Sequence, residues 1–307
     1  MPFHPWRLAF DSLRRGDLPA LRRLPERSRL WTVADGLEPS LLHSIEDEML
    51  SADALVGAPE TRAGRLLLGT YSEAGIAYAL KGYGIWDELR ERVGAEPVVR
   101  IGGAGEQTQT LQLRAPEGGP VYVELRLALV PAPRPAGRPL SERSWVSIEW
   151  FNLQDPRRAF TAERPALPGQ AHPGLGKGRQ VMELLLILGW RIGAGGLTGH
   201  PAWFHNAVMY RVHFRFIDPV EEGRMLALLA AWERSGLSLH DASHALHGGR
   251  VRDAGGVEFA WRPGLMGAPL LRAAEFEDDA WKRQVAIAES EARFRFIDVE
   301  EQAAPPA

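Results

Sequence analysis

Glycines and basic side chains alternate in one short segment, directly before the most apolar stretch of the sequence. The segment reads Pro-Gly-Leu-Gly-Lys-Gly-Arg from residue 173, and the apolar stretch at 179–193 has the length of a helix. Glycines let a backbone approach an anion closely, successive N–H groups can point at it, and the helix dipole favours its charge. The segment therefore predicts an anion-binding turn formed by Gly174, Gly176, Lys177, Gly178 and Arg179.

The same composition is also typical of an ordinary surface loop that leads into a core helix. A single glycine-rich turn has low specificity. It ends a Pro/Gly-rich connection over 155–178, which is long for a compact domain, and such connections are often functional or mobile. Both interpretations of the turn therefore stay open at the level of sequence.

Histidines supply further candidate chemistry. His205 lies on a helix predicted at 203–213. Histidine titrates near neutral pH, so His205 is a candidate general base if the turn holds a ligand, with a structural role as the alternative. His240, His244 and His247 follow at steps of four and three, which puts three imidazoles on one helix face. Such spacing can serve a metal, but a solvated polar face is the favoured interpretation, and no metal site is predicted.

Composition excludes several classes of protein. The 307 residues include no cysteine, which rules out disulfides, thiolate metal sites and a cysteine nucleophile. A net charge of −3 leaves no basic excess, so nucleic acid is not an expected partner. The N-terminus has no signal-peptide pattern, and the longest apolar run, 181–190, is shorter than the ~20 residues of a membrane span. We expect a cytoplasmic protein without a membrane partner.

Hydrophobic periodicity places strands before the turn and helices around it. Residues 108–114 and 121–129 alternate with period two on either side of a Pro-Glu-Gly-Gly turn, which predicts a β-hairpin. A third strand is predicted at 145–153. Helical spacing predicts helices at 6–15, 17–24, 38–50, 179–193, 203–213, 219–234, 239–247 and 277–292, and one between Ser72 and Gly94 that the internal Gly82 and Gly84 can kink.

Two features stand out in the C-terminal third. A hairpin is predicted at 250–262, turning at residues 253–256. The pentapeptide Phe-Arg-Phe-Ile-Asp occurs at 214–218 and again at 294–298, which two edge strands in similar surroundings would explain. Because the flanking residues do not match, no true internal repeat is predicted.

The order of elements and the turn together carry a resemblance to a known family. From about residue 72 to 217 the predicted order is helix, three strands, helix, short strand, helix, strand. This order, with Gly176-Lys177-Gly178 opening the apolar helix, resembles the GCN5-related N-acetyltransferase (GNAT) family. The resemblance implies that the turn cradles the pyrophosphate of acetyl-coenzyme A or another acyl-coenzyme A.

The resemblance also implies roles for two further residues. The segment 205–214 looks like the family's next helix, which carries an Asn, an Ala and a Tyr. In many members that tyrosine protonates the departing thiolate, and the matching position here is Tyr210. Glu149 lies in the middle of the predicted strand, on the face opposite Val146, Ile148 and Trp150, where a family-type general base would activate an amine through water. A residue on the solvent face of a strand needs no function, so that interpretation also stays open.

These patterns together predict an α+β fold with a mixed, mainly antiparallel central sheet flanked by helices, as in the GNAT family. The expected organisation is a helical N-terminal segment at 1–60, the α/β core at 61–218, and a C-terminal extension at 219–307. That extension is expected to contain helices and a β-hairpin packed on the core.

Two functions are expected from different classes. The resemblance implies transfer of an acyl group from acyl-coenzyme A to an amine on a small molecule or a protein. The alternative is a non-catalytic binding or assembly protein on a similar scaffold. Ten tryptophans favour an interface, as in a homodimer, because aromatic residues are enriched there. The candidates for such an interface are Trp31, Trp232, Trp261 and Trp281.

Overall fold

The computed structural model of the protein describes residues 29–43, 66–103, 107–135, 140–270 and 278–297. Its helices are Arg29–Gly36 (α1), Pro39–His43 (α2), Glu73–Gly82 (α3), Ile85–Val93 (α4), Gly178–Arg191 (α5), Phe204–Tyr210 (α6), Pro219–Ser235 (α7), Leu239–His247 (α8) and Asp279–Glu291 (α9). Its strands are Val98–Gly102 (β1), Thr108–Arg114 (β2), Val121–Val130 (β3), Trp145–Leu153 (β4), Gly196–Gly199 (β5), Arg215–Phe216 (β6), Val251–Arg252 (β7), Met266–Pro269 (β8) and Arg295–Phe296 (β9). The helices predicted at 6–15 and 17–24, and most of the segment 1–60, lie outside the described residues.

Seven strands form one central sheet in the spatial order β1-β2-β3-β4-β5-β8-β6. Strands β1 to β4 follow one another as antiparallel neighbours. Strands β4 and β5 are parallel, and α5 crosses between them. Strand β8 lies antiparallel between β5 and β6. The fold is therefore α+β with a mixed, mainly antiparallel sheet, as the sequence predicts.

The predicted hairpin is confirmed, and its burial follows the alternation of the sequence. In β3, Leu125 and Leu127 are buried while Arg126 between them is exposed. Opposite Leu125 on β2 is Leu111, so both strands give their apolar side chains to the same face. Because side chains alternate across a sheet, this register puts one apolar layer beneath the helices.

The helix predicted between Ser72 and Gly94 is two helices rather than one kinked helix. Ser72 caps α3 by accepting a hydrogen bond from the Gly75 N–H at 2.9 Å. Gly84 has φ +73°, a left-handed conformation that ends one helix and starts the next. The sequence therefore predicted the position of the break correctly, but it predicted a kink where the structure has two separate helices.

The C-terminal third differs from its prediction in the hairpin. The chain turns at residues 253–256 as predicted, and the Phe259 N–H donates to the Val251 oxygen across the turn at 2.9 Å, but only one bridge forms there, between Arg252 and Glu258; the two-residue strand β7 pairs with β9 instead. The repeated Phe-Arg-Phe segments do become two short strands, β6 and β9, at the edges of different sheets. The region 219–307 also supplies β8 to the interior of the central sheet.

Of the four tryptophans expected at an interface, two are buried in the core and two donate hydrogen bonds to the backbone of the same chain. Trp31 and Trp232 are buried in the core of the chain itself. Trp261 and Trp281 donate their Nε1–H groups to the backbone oxygens of Pro201 at 3.1 Å and Ile217 at 3.2 Å. The interface prediction is therefore wrong for the two buried residues, since neither offers surface to a partner; a homodimer stays a prediction.

Within the described ranges, no helix combines the length and the apolar character that crossing a membrane requires.

A buried ion pair connects Arg211, the residue after α6, to Glu222 of α7. Glu222 Oε1 lies 2.7 Å from Arg211 Nη1, and both side chains are almost completely buried. The other carboxylate oxygen of Glu222 accepts a hydrogen bond from the Phe216 N–H at 3.0 Å. The pair therefore ties the short strand β6 to the helix that follows it.

Replacing Glu222 by Ala should destabilise the protein by about 3–5 kcal/mol, because it leaves the Arg211 charge buried and unpaired. Urea unfolding followed by circular dichroism measures this change. The control is Glu221→Ala on the same helix, whose pair with Arg224 at 3.4 Å is largely exposed, so its loss should cost less than about 1 kcal/mol. Equal losses for the two variants would contradict the role given to the buried pair.

Candidate functional site

The parallel strands β4 and β5 part next to the predicted site. Their pairing covers three residues of each strand and ends at Ile148 and Gly199. Strand β4 continues to Leu153, and along this side its next partner among the described residues is the bridge between Gln154 and Gly174. Five residues of β4 therefore have no strand beside them, between the end of β5 and the glycine-rich turn.

The turn itself is open to solvent at its glycines. Gly176 has φ +72°, and a Cβ atom built at Gly176 or at Gly178 meets no atom within 4 Å. Helix α5 begins at Gly178, and no side chain caps it at the N-cap residue Lys177. The first N–H groups of a helix lack intrahelical partners, so this turn presents donors that an anion can approach.

The two cations of the turn differ in their surroundings. Lys177 Nζ forms an ion pair with Glu88 of α4, which reduces the charge that it can offer to an anion. Arg179 is exposed and forms no ion pair with any described residue. Of these two cations, Arg179 is therefore the one whose charge is more accessible to an anion at the turn.

Tyr210 lies where β5 ends. Its ring packs against Phe151 of β4 at 6.2 Å and against Phe214 at 5.8 Å between centroids. A Cβ atom at Gly199 would lie 3.8 Å from its ring, so a larger residue there would crowd it. Burial raises the pKa of Tyr210 to about 12, so the hydroxyl keeps its proton at neutral pH. A protonated hydroxyl at this position can act as a general acid.

Glu149 is the extra residue of a β-bulge. Trp150 pairs with Arg126, whereas Ile148 pairs with Leu127, so Glu149 has no partner on β3. Its carboxylate accepts a hydrogen bond from the Ser147 hydroxyl and is otherwise exposed. A bulge re-aims side chains, and bulges are over-represented near active sites. Glu149 therefore lies one residue beyond the last β4–β5 pair, on the side of the strand that carries Ser147.

The bulge also corrects the predicted faces of β4. Trp150 was expected to share a face with Val146 and Ile148. Because the bulge inserts one residue, Trp150 lies instead on the face of its partner Arg126, whose guanidinium is 5.8 Å from the indole centroid. It is half exposed, at 49 %. Period-two reasoning cannot see such an insertion, so the prediction failed at that residue.

His205 is a core residue. Only 2 % of its surface is exposed, and its Nδ1 atom is buried without a hydrogen-bond partner among the described residues. Burial lowers the pKa of His205 to about 4, with a smaller effect from His244. The ring is therefore neutral at physiological pH and shielded from water, which favours the structural interpretation over a general base.

The three histidines of α8 make different contacts, although the rings of His240 and His244 also pack against each other with centroids 4.5 Å apart. His244 Nε2 lies 2.9 Å from the Ala166 oxygen, His247 packs edge-on against Trp203, and His240 contacts Asp241. Within the described residues, no three His, Asp or Glu side chains are grouped so that they could hold a metal ion. His244 instead fixes the long connection that leads to the turn.

Sequence reasoning missed the residue that starts this connection. Asp155 is buried and lies 3.3 Å from Arg158 and 3.7 Å from Arg92. Its N–H donates to the Pro173 oxygen at 2.7 Å, which brings the two ends of the connection together. The Asp-Pro dipeptide at 155–156 is typical of turn initiation and was the available signal.

No protein-family model matches the chain, and no curated protein matches its sequence. The geometry of the chain therefore carries the functional conclusions that follow.

One buried and one partly buried histidine should make the free energy of unfolding depend on pH. Burial lowers the pKa of His205 and of His213 to about 4, while an unfolded histidine titrates near 6.5. Between these values the unfolded state binds more protons, so stability should be complete above pH ~6.5 and fall as the pH drops towards ~4. The pKa shift of each histidine changes the free energy of unfolding by at most about 3 kcal/mol over this pH interval.

We expect His205→Gln to reduce the slope of the unfolding free energy against pH over this interval, as measured by urea titrations. His200→Gln, at a solvent-exposed position, is the matched control and should leave the slope unchanged. Identical slopes for the His205 variant and the unaltered protein would show that His205 is not the titrating group.

Proposed function

We propose that the protein transfers an acyl group from an acyl-coenzyme A to an amine, as its resemblance to the GNAT family implies. One observation carries the proposal: the only parallel strand pair of the described sheet parts, and five residues of β4 without a strand beside them lead from that point to an open, glycine-rich turn at the start of a helix. A crevice outside the carboxyl ends of parallel strands is a usual place for a ligand in sheets of this kind.

The order of the chain supports an anionic ligand at that crevice. Helix α5 joins β4 to β5, so its N-terminus lies at the carboxyl ends of both strands. The positive end of the helix dipole and the uncapped N–H groups at Gly178 then face the same region. Arg179 adds a full charge there, which suits the phosphates of a coenzyme A thioester.

The two candidate proton-transfer groups flank the point where the strands part. The reaction forms a C–N bond between amine and acyl carbon and breaks the C–S bond of the thioester. Tyr210 keeps its proton at neutral pH and gives it to the departing thiolate. Glu149 is exposed one residue beyond the last paired position and accepts the amine proton through water. Small-molecule and protein amines are both possible acceptors.

One observation favours the non-catalytic alternative. Lys177 is paired with Glu88, so part of the positive charge of the turn is already neutralised. A scaffold that no longer binds acyl-coenzyme A could keep this pair and use the sheet for assembly. The two functions predict opposite responses to acetyl-coenzyme A.

Acetyl-coenzyme A should raise the melting temperature in a thermal-shift measurement. A ligand that binds only the folded state stabilises it by ~2.7 kcal/mol at a hundred times its Kd. Gly178→Glu should abolish this shift, because a carboxylate would occupy the open space where the phosphates are held. Gly178→Ala is the control: its methyl group has room, so the shift should persist.

The absence of any shift at millimolar ligand would favour the non-catalytic alternative. An equal shift in the Glu and Ala variants at residue 178 would place the binding site elsewhere.

Tyr210→Phe should lower kcat about a hundredfold or more with little change in acyl-coenzyme A affinity, because it removes only a proton donor. Release of free thiol in the presence of a panel of primary amines measures the rate, and calorimetry measures the affinity. Tyr78→Phe is the control, since its hydroxyl contacts the Glu38 backbone N–H rather than the crevice. A Tyr210 variant that keeps the full rate would remove this residue from the mechanism.

A further inference from the structure

An apolar cavity of about 120 Å³ lies between the sheet and helices α3, α4 and α5. Leucines predominate among its lining residues, and almost all the surface that they expose to the cavity is apolar. Such a cavity stays dry, because a water molecule needs two to four polar partners, but it accepts apolar molecules. The cavity therefore fits a hydrocarbon group and not a charged one.

One end of the cavity lies at the glycine-rich turn. Leu175 and Lys177 of the turn line it, and so does Val181 in the first turn of α5. Farther along the helix, Leu184 and Leu188 continue the same wall. The cavity therefore starts beside the proposed phosphate-binding turn and follows α5, a shape that suits an unbranched chain.

Strand β4 joins this end of the cavity to the crevice. Leu153, the last residue of the unpaired part of β4, lines the cavity. Phe151, two residues earlier, pairs with Leu125, which also lines the cavity, so both lie on the same face of the sheet. The ring of Tyr210 packs against Phe151 at 6.2 Å between centroids. The proposed proton donor and the end of the cavity therefore lie beside positions of β4 that are ~7 Å apart along one face of the strand.

We propose that this cavity receives the acyl chain of the thioester, which makes hexanoyl rather than acetyl the preferred acyl group. The inference rests on the proposed acyl transfer and names the substrate class of the same site. A thioester with its phosphates at the turn and its sulfur near Tyr210 has its acyl chain beside Leu153, where the cavity begins.

The volume of the cavity sets the length of the chain. An apolar cavity of about 150 Å³ accepts benzene, which has six carbons, so 120 Å³ has room for roughly five carbons. A hexanoyl group has five carbons beyond its carbonyl and is the chain of matching size. An acetyl group has only a methyl there and would leave the cavity almost empty.

Calorimetric titration of the full chain with acetyl-, butyryl-, hexanoyl-, octanoyl- and decanoyl-coenzyme A tests the proposal. Affinity should rise about fourfold per methylene from acetyl to hexanoyl, because each added methylene leaves water for an apolar cavity. It should not rise further for decanoyl, whose chain exceeds the volume of the cavity. Gly178→Glu should abolish binding of hexanoyl-coenzyme A as well as of acetyl-coenzyme A, because the chain reaches the cavity from the turn.

Two variants of the cavity wall should change the preferred chain in opposite directions. Ala79→Leu adds three carbons to the wall formed by α3, so it should lower hexanoyl-coenzyme A affinity more than tenfold and leave acetyl-coenzyme A affinity unchanged. Leu184→Ala removes three carbons from the wall formed by α5 and should move the preferred chain from hexanoyl towards octanoyl or longer. Ala77→Leu, on α3 but outside the cavity lining, is the matched control and should keep the original order of affinities.

The outcomes separate this inference from the proposed transferase. Binding of acetyl-coenzyme A with no gain for longer chains would overturn the inference and leave the transferase intact, whereas failure of every thioester to bind would overturn both. A loss of stability alone weakens binding of all chains equally, so only opposite changes in chain preference support the cavity. An unchanged preference in both Ala79→Leu and Leu184→Ala, or hexanoyl-coenzyme A binding that persists in Gly178→Glu, would also overturn the inference.

Discussion

The short length of β5 is the constraint on which the rest of the structure depends. The strand has four residues, all buried, and pairs with β4 over only three. The Trp145 ring packs on its start so closely that a Cβ atom at Gly196 would lie 2.5 Å from the indole. A side chain there would displace the ring or the strand, so glycine is what allows the sheet to continue from β4 to β8.

Because β5 stops early, β4 has a free edge where a central strand would normally be paired. The bulge at Glu149 falls at the beginning of that edge, and the bridge between Gln154 and Gly174 closes its far end. Tyr210 lies beside the last residue of β5. The geometry of the candidate site thus follows from where two strands stop pairing, not from any single reactive residue.

Helix α5 links this site to the apolar core. Its first residues form the open turn, and its leucines line an apolar cavity between the sheet and helices α3 and α4. The helix is apolar on most sides because it has to cover both β4–β5 and the leucines of β2 and β3. One element therefore supports two regions, electropositive at its N-terminal end and apolar along its length.

The sequence by itself determined the elements with strong periodicity: the hairpin of β2 and β3, the core helix α5, and the mainly antiparallel sheet. These depend on local alternation and helical spacing, which a single chain displays directly. Only the tertiary structure decided that His205 is buried, that Trp150 changes faces, and that Lys177 is paired with Glu88. Each of these depends on contacts between residues far apart in the chain or on one inserted strand residue, and neither leaves a periodic signal in the sequence.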